Sequence, residues 1–305
     1  MRDYFFNGLY KHFDNDPRYI ILTNDFGAPS LDEYRSRDSS RVINAGISEQ
    51  NIISTAAGMA LSGLIPIVYS ISSFIISRAY EQIKIDICEN LAPVTILGVG
   101  AGFAYSEDGP THHSIDDIHL MVPLPNIEVL SPSETRSLDI ILNKVTSEKK
   151  ARYIRLDRYI PKDDYSNLAR IYIDHGGYFY YESYTKKILI TTGFMSKMVR
   201  ELLNNDQEVR VSHLDLYDLT NLKQSFFSKL GEYTEIIVID EQLSLGGVAA
   251  LVLNSVANCS ARTNIKTYGI SKSSAMLYGA RDFNQAASGI DRNSVKKIIM
   301  ELSNI

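Results

Sequence analysis

Carboxyl and imidazole groups suited to proton chemistry stand at two places in the chain. Glu49 lies at the predicted start of a helix, where free backbone N–H groups and low solvent access both act on the pKa of a carboxylate. The loop 101–117 combines Asp108, His112 and His113. A glutamate in a first helical turn is also a routine capping residue. Considered alone, Glu49 is therefore interpreted as a capping residue. The ionisable groups of the loop favour a role for Glu49 in proton transfer instead.

The adjacent histidines His112 and His113 also resemble a metal pair. However, neighbouring side chains point apart, and the sequence offers no third ligand nearby. Cys88 and Cys259, the only cysteines, lie in apolar contexts far apart in the chain. That placement suits small buried residues in a reducing compartment better than a disulfide or a zinc site. We predict no metal ligands in this chain.

Composition excludes several classes of protein. The chain has 305 residues, more than one core usually needs, so we expect two domains. A formal net charge of -5 and the lack of a Lys/Arg run argue against nucleic-acid binding. Charges interrupt the N-terminal segment where a signal peptide would be apolar, and no segment is apolar for the length of a membrane span. We expect a cytoplasmic protein.

The elements that must position these groups alternate between strands and helices. Apolar runs bounded by glycine turns and separated by helical periodicity are typical of a mostly parallel sheet with helices on both faces. We predict an α/β chain of two consecutive doubly wound, mostly parallel-sheet domains, residues 1–160 and 187–305. Residues 161–186 form a linker with a predicted hairpin around Gly176 and Gly177.

A strong local signal for a helix start follows at residues 131–134. Ser131 is suited to capping, Pro132 to the first helical position, and Glu134 stands three residues after the cap. We therefore predict that a helix begins directly after Ser131.

Three segments are expected to meet, because ligands bind at the carboxyl ends of parallel strands. They are the helix start at Glu49, the turn within 69–78 and the loop 101–117. Their sequences include GISEQN, FIISRAYEQI and EDGPTHH, and together these motifs resemble the pyrimidine-binding domain of transketolase-type thiamine diphosphate enzymes. The later segments TTG and DEQLSLGGVAALV are similar to the C-terminal domain of that family.

The resemblance implies roles at the cofactor. Glu49 would be the catalytic glutamate that hydrogen-bonds N1′ of the aminopyrimidine and favours the imino tautomer, whose exocyclic nitrogen removes the weakly acidic C2 proton. Phe74 matches an aromatic residue that packs on the pyrimidine. Ile47 matches an apolar residue that supports the bent cofactor.

It also implies roles at the substrate. Asp108 matches a residue that contacts a donor-sugar hydroxyl, and His112 matches a catalytic histidine near the substrate carbonyl. Arg2, Ser30 and Arg158 fall where transketolases hold a substrate phosphate. Guanidinium groups suit that anion.

The chain departs from the family pattern at several positions. Gly100 stands where many transketolases carry a phosphate-contacting histidine, and Ile71 replaces a second aromatic residue. The common Glu-Glu-His becomes residues 240–242, Asp-Glu-Gln. From Gly100 we expect more room at the phosphate end of the pocket, and hence a modified or bulkier sugar.

The largest departure is the lack of the Gly-Asp-Gly to Asn segment that holds Mg²⁺ and the cofactor diphosphate. The chain therefore resembles the C-terminal subunit of a split transketolase. Such a subunit would transfer a two-carbon ketol unit between phosphorylated or modified sugars. It would work only with a partner subunit that carries the diphosphate- and Mg²⁺-binding domain, in an α2β2 heterotetramer.

Three alternatives remain open. A deoxyxylulose-phosphate synthase-like enzyme also suits Thr-His-His, but that family usually joins all its domains on one chain. The beta subunit of 2-oxoacid dehydrogenase E1 is similarly split, but the loop motif fits it poorly. A non-catalytic partner of the same fold would not need Glu49, Asp108 and His112.

Overall fold

A computed structural model describes most of the chain. The described residues are 1–161, 173–183, 185–205, 211–222, 226, 230–257 and 263–303. Within these ranges, no helix is both long and apolar enough to span a bilayer. Residues 162–172 and 184 of the predicted linker lie outside the described residues, as does Cys259, whereas Cys88 is buried. Burial raises the pKa of the Cys88 thiol to about 11.

The first sheet has six strands, and every pair is parallel. They are β1 (Tyr19–Thr23), β2 (Val42–Asn44), β3 (Ile65–Ile71), β4 (Thr95–Val99), β5 (Ile127–Leu130) and β6 (Ala151–Leu156), in the order β2-β1-β3-β4-β6-β5. In register, Ile21 lies opposite Val42 on one side and Ile67 on the other. The continuous apolar runs reflect burial of both faces.

Helices cover both faces of this sheet. They are α1 (Arg2–Asn15), α2 (Pro29–Asp38), α3 (Glu49–Leu61), α4 (Ser72–Arg78), α5 (Tyr80–Gln82), α6 (Asp117–Met121) and α7 (Thr135–Ser147). The stretch after β3 is not one regular helix, because α4 ends at Arg78 and a π-helical segment, Ile83–Glu89, follows α5.

The second sheet is mixed. Its strands are β7 (Ile173–Asp174), β8 (Tyr178–Tyr181), β9 (Lys187–Thr192), β10 (Ser212–Leu216), β11 (Glu235–Leu243) and β12 (Asn264–Ile270), in the order β12-β11-β9-β10-β8-β7. Strands β9 to β12 pair in parallel. The predicted hairpin is confirmed as β7 and β8, and it extends this sheet because β8 pairs antiparallel with β10.

The helices described around the second sheet are α8 (Gly193–Asn205), α9 (Gly247–Ala257), α10 (Arg281–Ala287) and α11 (Arg292–Ser303). Residues 223–225 and 227–229, between β10 and β11, lie outside the described residues. The sequence pattern does not predict the edge strands β5 and β12. The first is only four residues long, and the second is largely solvent-exposed.

Two hydrophobic cores enclose the first sheet. One packs α1, α2 and α7 on one face, with Phe6, Tyr34 and Leu138 among its buried residues. The other packs α3 and α4 on the opposite face and continues into the second sheet through residues such as Ile188. The predicted fold class, two doubly wound and mostly parallel α/β units, is confirmed. The domain boundaries stay a prediction.

The helix predicted to begin after Ser131 begins later, at Thr135. Glu134 caps it, in a reciprocal capping box with Ser137. Ser131 and Ser133 instead bond to β10 and the residue after it: the Ser131 backbone N–H donates to the Tyr217 carbonyl over 2.8 Å, and Ser133 Oγ donates to Asp215 Oδ2 over 2.5 Å. These tertiary hydrogen bonds keep the segment out of the helix.

The predicted site residues lie at the carboxyl edge of the first sheet. Ser30 follows β1, Glu49 follows β2, Phe74 follows β3, the loop 101–117 follows β4, and Arg158 follows β6. The order of strands reverses between β1 and β3, and ligands bind at such reversals in open α/β sheets.

Candidate functional site

Glu49 is the first residue of α3, and its side chain is only 7% exposed. The turn before it is tight: Gly46 adopts φ +69°, and Asn24 Nδ2 donates to the Gly46 carbonyl over 2.9 Å. Arg78 Nη1 donates to Glu49 Oε1 over 2.8 Å. Among the described residues, no donor contacts the other carboxylate oxygen, Oε2. That oxygen is therefore available to a ligand.

Phe74 stands between two cationic or ionisable groups. The Arg78 guanidinium carbon lies 4.2 Å from the centre of its ring, and the His112 ring lies 4.8 Å away in an edge arrangement. Phe74 and Arg78 are one helical turn apart in α4, which places them on the same face. Glu49, Arg78, Phe74 and His112 thus form one continuous row of contacts.

The loop after β4 places Asp108 and His112 differently. Asp108 ends a 3₁₀ turn, Ser106–Asp108, and is exposed. His112 is half-buried, and its Nδ1 lies 3.0 Å from Thr111 Oγ1. Ile47, on the turn before α3, is 76% exposed. The structure joins His112 to the row that contains Glu49, whereas Asp108 and Ile47 face solvent.

Arg2 and Ser30 lie close together, but both already donate hydrogen bonds to the same carboxylate, that of Asp3. Arg2 Nε and Nη2 donate to the two oxygens of Asp3, each over 3.1 Å, and Ser30 Oγ donates to Asp3 Oδ1 over 2.9 Å. Burial alone would raise the pKa of Asp3, but the bonds from Arg2 and Ser30 outweigh it and lower that pKa. Asp3 is thus held as an anion where the resemblance implies a substrate phosphate.

A row of aromatic rings leads from Arg2 to Arg158. Arg2 Nη1 lies 3.4 Å from the Tyr69 hydroxyl, and the Tyr69 ring lies 5.5 Å from Phe26. Phe26 lies 6.4 Å from Tyr105, over which the Arg158 guanidinium sits at 4.6 Å. Tyr105 also contacts His112, at 6.3 Å between ring centres. The two rows of contacts therefore meet at His112.

The expectation of extra room beside Gly100 is wrong. Gly100 adopts φ +97°, and a Cβ at this position would lie 2.3 Å from Tyr105 Cδ2. The Tyr105 ring fills the space that was expected to be open. Only glycine combines this backbone conformation with such a close ring.

Of residues 240–242, Glu241 and Gln242 bond to the first unit, and Asp240 bonds within the second. Asp240 Oδ2 accepts from the Val248 backbone N–H over 2.8 Å, and Gln242 Nε2 donates to Asp117 Oδ1 over 2.9 Å. Glu241 Oε2 accepts from the Phe103 backbone N–H over 3.0 Å. All three residues are buried. This departure from the family motif lies in the contact between the units, and not on an open pocket wall.

Sequence reasoning assigned no role to Arg78, Tyr105 or Arg281. Arg78 had a detectable signal, because it stands four residues after Phe74 in a helix. Arg281 had none, since its partners Asp157 and Glu241 are distant in sequence.

A cavity of about 930 Å³ lies elsewhere. It opens near the starts of β5 and β6, at the amino edge of the first sheet, and Leu124 and Leu219 are among its lining residues. None of the predicted site residues lines it. Within the described residues, no group of three or more His, Cys, Asp and Glu side chains is arranged to hold a metal ion.

The chain is similar to several known proteins. It is 29% identical over 289 residues to one of the subunits of apulose-4-phosphate transketolase from Actinobacillus succinogenes, covering 90% of this chain and 88% of that one. It is also 29% identical to 1-deoxy-D-xylulose-5-phosphate synthase of Clostridium tetani, where the match covers 94% of this chain but spans only 46% of the synthase.

Solved structures share the fold. A split-gene transketolase, described as an inactive β4 tetramer, superposes with a TM-score of 0.80 over 99% of this chain and 97% of its own, at 20% identity. Transketolase from Campylobacter jejuni superposes with a TM-score of 0.73 at 15% identity, and the match covers 97% of this chain and 46% of that one. Residues 1–160 match the model of the transketolase pyrimidine-binding domain. The chain belongs to the transketolase pyrimidine-binding domain family.

Proposed function

We propose that this chain is one subunit of a thiamine diphosphate-dependent transketolase and that it acts only with a second subunit. The complex would transfer a two-carbon ketol unit between sugars. The observation that carries the proposal is the free Oε2 of the buried Glu49 at the start of α3, beside the Phe74 ring.

The residues around Glu49 fit the pyrimidine half of the cofactor. A carboxylate oxygen with no donor among the described residues can accept a hydrogen bond from a protonated ring nitrogen. Phe74 supplies an aromatic ring near it, and the exposed Ile47 lies on the turn before α3. When bound, thiamine diphosphate would supply the carbanion chemistry. Glu49 would hold and exchange a proton at N1′, with Arg78 fixing its carboxylate.

The diphosphate half of the cofactor needs another source of ligands. Binding a diphosphate requires a divalent cation and a set of donors, and the sequence lacks the family segment that provides them. We propose that the partner subunit holds Mg²⁺ and the diphosphate, in an α2β2 heterotetramer. The split organisation of the relatives supports this assignment.

We propose a phosphorylated sugar as substrate. His112 and Asp108 would contact its hydroxyl and carbonyl groups, and Arg2, Ser30 and Arg158 its phosphate. The name of the Actinobacillus succinogenes relative includes a 4-phosphate, which supports a phosphorylated sugar. The Asp3 carboxylate at Arg2 and Ser30 would then have to yield to the substrate phosphate.

A second candidate is 1-deoxy-D-xylulose-5-phosphate synthase activity, which the match to the Clostridium tetani enzyme favours. Because the chain spans only 46% of that enzyme, this reaction too would require a partner chain. Analysis of the products of the assembled complex separates a two-carbon ketol transfer from formation of a deoxyxylulose phosphate.

A cytoplasmic location also stays a prediction, which cell fractionation tests.

Calorimetric titration tests the proposed split of the site. The chain alone, titrated with thiamine diphosphate and Mg²⁺, should bind weakly and turn nothing over. Addition of the partner subunit should produce tight, Mg²⁺-dependent binding and transferase activity. Tight Mg²⁺-dependent binding by this chain alone would contradict the proposal.

A further inference from the structure

The loop that carries Asp108 and His112 has little regular structure of its own. Its ends are closed by a backbone pair, in which the Gly102 N–H donates to the Ser114 carbonyl over 2.9 Å and the Ser114 N–H donates back over 3.0 Å. Between them the loop contains one short 3₁₀ turn. Turn hydrogen bonds such as those from the Ser106 and His112 N–H groups to the Phe103 and Gly109 carbonyls act within the loop, and contacts from the second unit add to them.

The first such contact is made by Glu241, at the carboxyl end of β11 in the second sheet. Its Oε2 accepts the Phe103 backbone N–H over 3.0 Å. Gly102, beside it, adopts φ +60°, and a Cβ there would lie 2.0 Å from the same oxygen. Glycine at position 102 thus allows the carboxylate to reach the loop backbone.

Other contacts hold the second half of the loop, and they come from the second sheet and from the segment that follows β12. His113 Nδ1 lies 3.0 Å from the Ala275 carbonyl oxygen, so this nitrogen carries the proton. Gln242 Nε2 donates to the Ser114 carbonyl over 3.0 Å. Tyr278 packs on Gly109, where a Cβ would lie 2.0 Å from its ring. Loop residues on both sides of His112 are therefore attached to the second sheet.

Glu241 is itself fixed by α10. Arg281 Nε donates to Oε1 over 3.0 Å and Nη2 to Oε2 over 2.6 Å, while Gln285 Nε2 donates to Oε1 over 2.7 Å. Arg281 also donates to both oxygens of Asp157, over 3.1 and 2.8 Å. Burial would lower the pKa of Arg281, but the two carboxylates more than offset this and raise it.

Asp157 links the same arginine to a second segment of the candidate site. Its Oδ1 accepts the Arg158 backbone N–H over 2.6 Å. The Arg281 guanidinium therefore binds both the carboxylate that holds the loop of His112 and the carboxylate that holds the turn of Arg158.

We propose that Glu241 and Arg281 are positioning residues, which set the loop of Asp108 and His112 and the turn of Arg158 relative to each other. The second unit would thereby control substrate geometry without touching the substrate. The assignment of Asp108, His112 and Arg158 to substrate rests on the proposed function, whereas the attachment of the loop does not.

Hydrogen–deuterium exchange of the full chain tests the attachment. Glu241→Gln and Arg281→Met should each speed exchange in peptides covering 101–113 by about tenfold. The first variant removes the charged acceptor of the Phe103 N–H. The second removes the hydrogen bonds that hold this acceptor in place. Glu235→Gln, at the other end of β11 in a surface pair with Lys266, is the matched control and should leave these peptides unchanged. Unchanged exchange in 101–113 in both test variants would overturn the proposal.

A variant at an exposed residue tests the same attachment without unfolding the chain. Tyr278 is 67% exposed, so Tyr278→Ala should fold normally and still speed exchange around Gly109. If a folded Tyr278→Ala chain and the Arg281→Met chain both retain wild-type protection of 101–113, the loop does not depend on the second sheet.

Kinetics of the assembled complex test positioning. Arg281→Met should lower kcat/KM for the sugar by up to about 100-fold, as expected for a displaced contact group, with cofactor affinity unchanged. Arg281→Lys, which can serve only one carboxylate well, should fall between the wild type and Arg281→Met. Equal losses of cofactor and sugar affinity would indicate general damage and overturn the positioning role. If the wild-type complex transfers no ketol unit, the proposed function fails, while the exchange result still decides the attachment.

Discussion

The Arg78 guanidinium binds Glu49 directly, with Nη1 2.8 Å from Oε1, and the same group lies over the ring of Phe74. The side chain of Arg78 is 47% exposed, whereas that of Glu49 is 7% exposed. One exposed arginine thus orients both a buried carboxylate and an aromatic ring that we assign to the cofactor.

Replacement of Arg78 tests this arrangement. Arg78→Lys keeps the charge but loses the planar stack on Phe74, and a cation–π contact at a partly exposed site contributes about 0.5–1 kcal/mol. We expect cofactor affinity in the assembled complex to fall by about two- to fivefold. Calorimetry measures it, with Arg35→Lys on the exposed face of α2 as the control. An affinity equal to wild type would remove Arg78 from the cofactor site.

Glu49→Gln should preserve assembly with the partner and abolish activation of the cofactor. The amide keeps the shape of the side chain but cannot exchange a proton with N1′. The measurement is deuterium exchange at C2 of the cofactor in the assembled complex, with size-exclusion chromatography as the control for assembly. A wild-type exchange rate would mean that Glu49 serves only as the first residue of α3.

Asp3→Asn should improve the use of a phosphorylated sugar. It removes a carboxylate that occupies Arg2 and Ser30 and would repel a phosphate, and exposed charge pairs of this kind contribute up to about 1 kcal/mol. We expect KM to fall by about two- to fivefold. Asp14→Asn, on the same helix and paired with Arg37, should leave KM unchanged. A higher KM for Asp3→Asn would show that Asp3 organises the site and does not block it.

Gly100→Ala should destabilise the chain by about 2 kcal/mol or more, because it places a Cβ at positive φ against the Tyr105 ring. Gly100→His should be worse and should not improve the use of common pentose phosphates. Gly58→Ala is the control: its position in α3 is open, so alanine should stabilise by up to about 1 kcal/mol. Thermal unfolding compares them, and a stable Gly100→His chain would contradict the role of Tyr105.

Asp240 makes the stability of the chain depend on pH. Burial raises its pKa from 3.8 to about 6 in the folded chain. The folded state therefore binds the proton more tightly, and this stabilisation is complete below pH 3.8 and lost as pH rises through about 6. The loss is about 3 kcal/mol.

Asp240→Asn should remove this dependence. The amide oxygen can still accept the Val248 N–H, and the side chain no longer ionises. The gain in melting temperature over wild type should be larger at about pH 8 than at about pH 5, as measured by calorimetry at both values. Glu235→Gln, near the protein surface on the same strand, should show no such difference. Equal gains at both pH values would contradict a raised pKa at Asp240.

Local sequence patterns predicted most of the scaffold. The helix that starts at Glu49 and the hairpin around Gly176 and Gly177 follow from signals within a few residues, and the structure confirms them. The edge strands β5 and β12 were not predicted, because β5 has only four residues and β12 is largely solvent-exposed and carries little apolar pattern. The motifs of the family also brought Glu49, Phe74 and His112 into one expected site, and the structure joins them in one row of contacts.

Tertiary contacts decided what surrounds those residues. The type of residue at position 100 suggested open space, but the Tyr105 ring fills it. Arg2 and Ser30 suggested an anion site, but Asp3 binds both. The bond from Phe103 to Glu241 joins residues 138 positions apart. Periodicity and turn chemistry act over a few residues, so they determine the elements. Contacts between distant residues appear only when the elements pack, so packing alone determined which donors are free and which segments hold the loop.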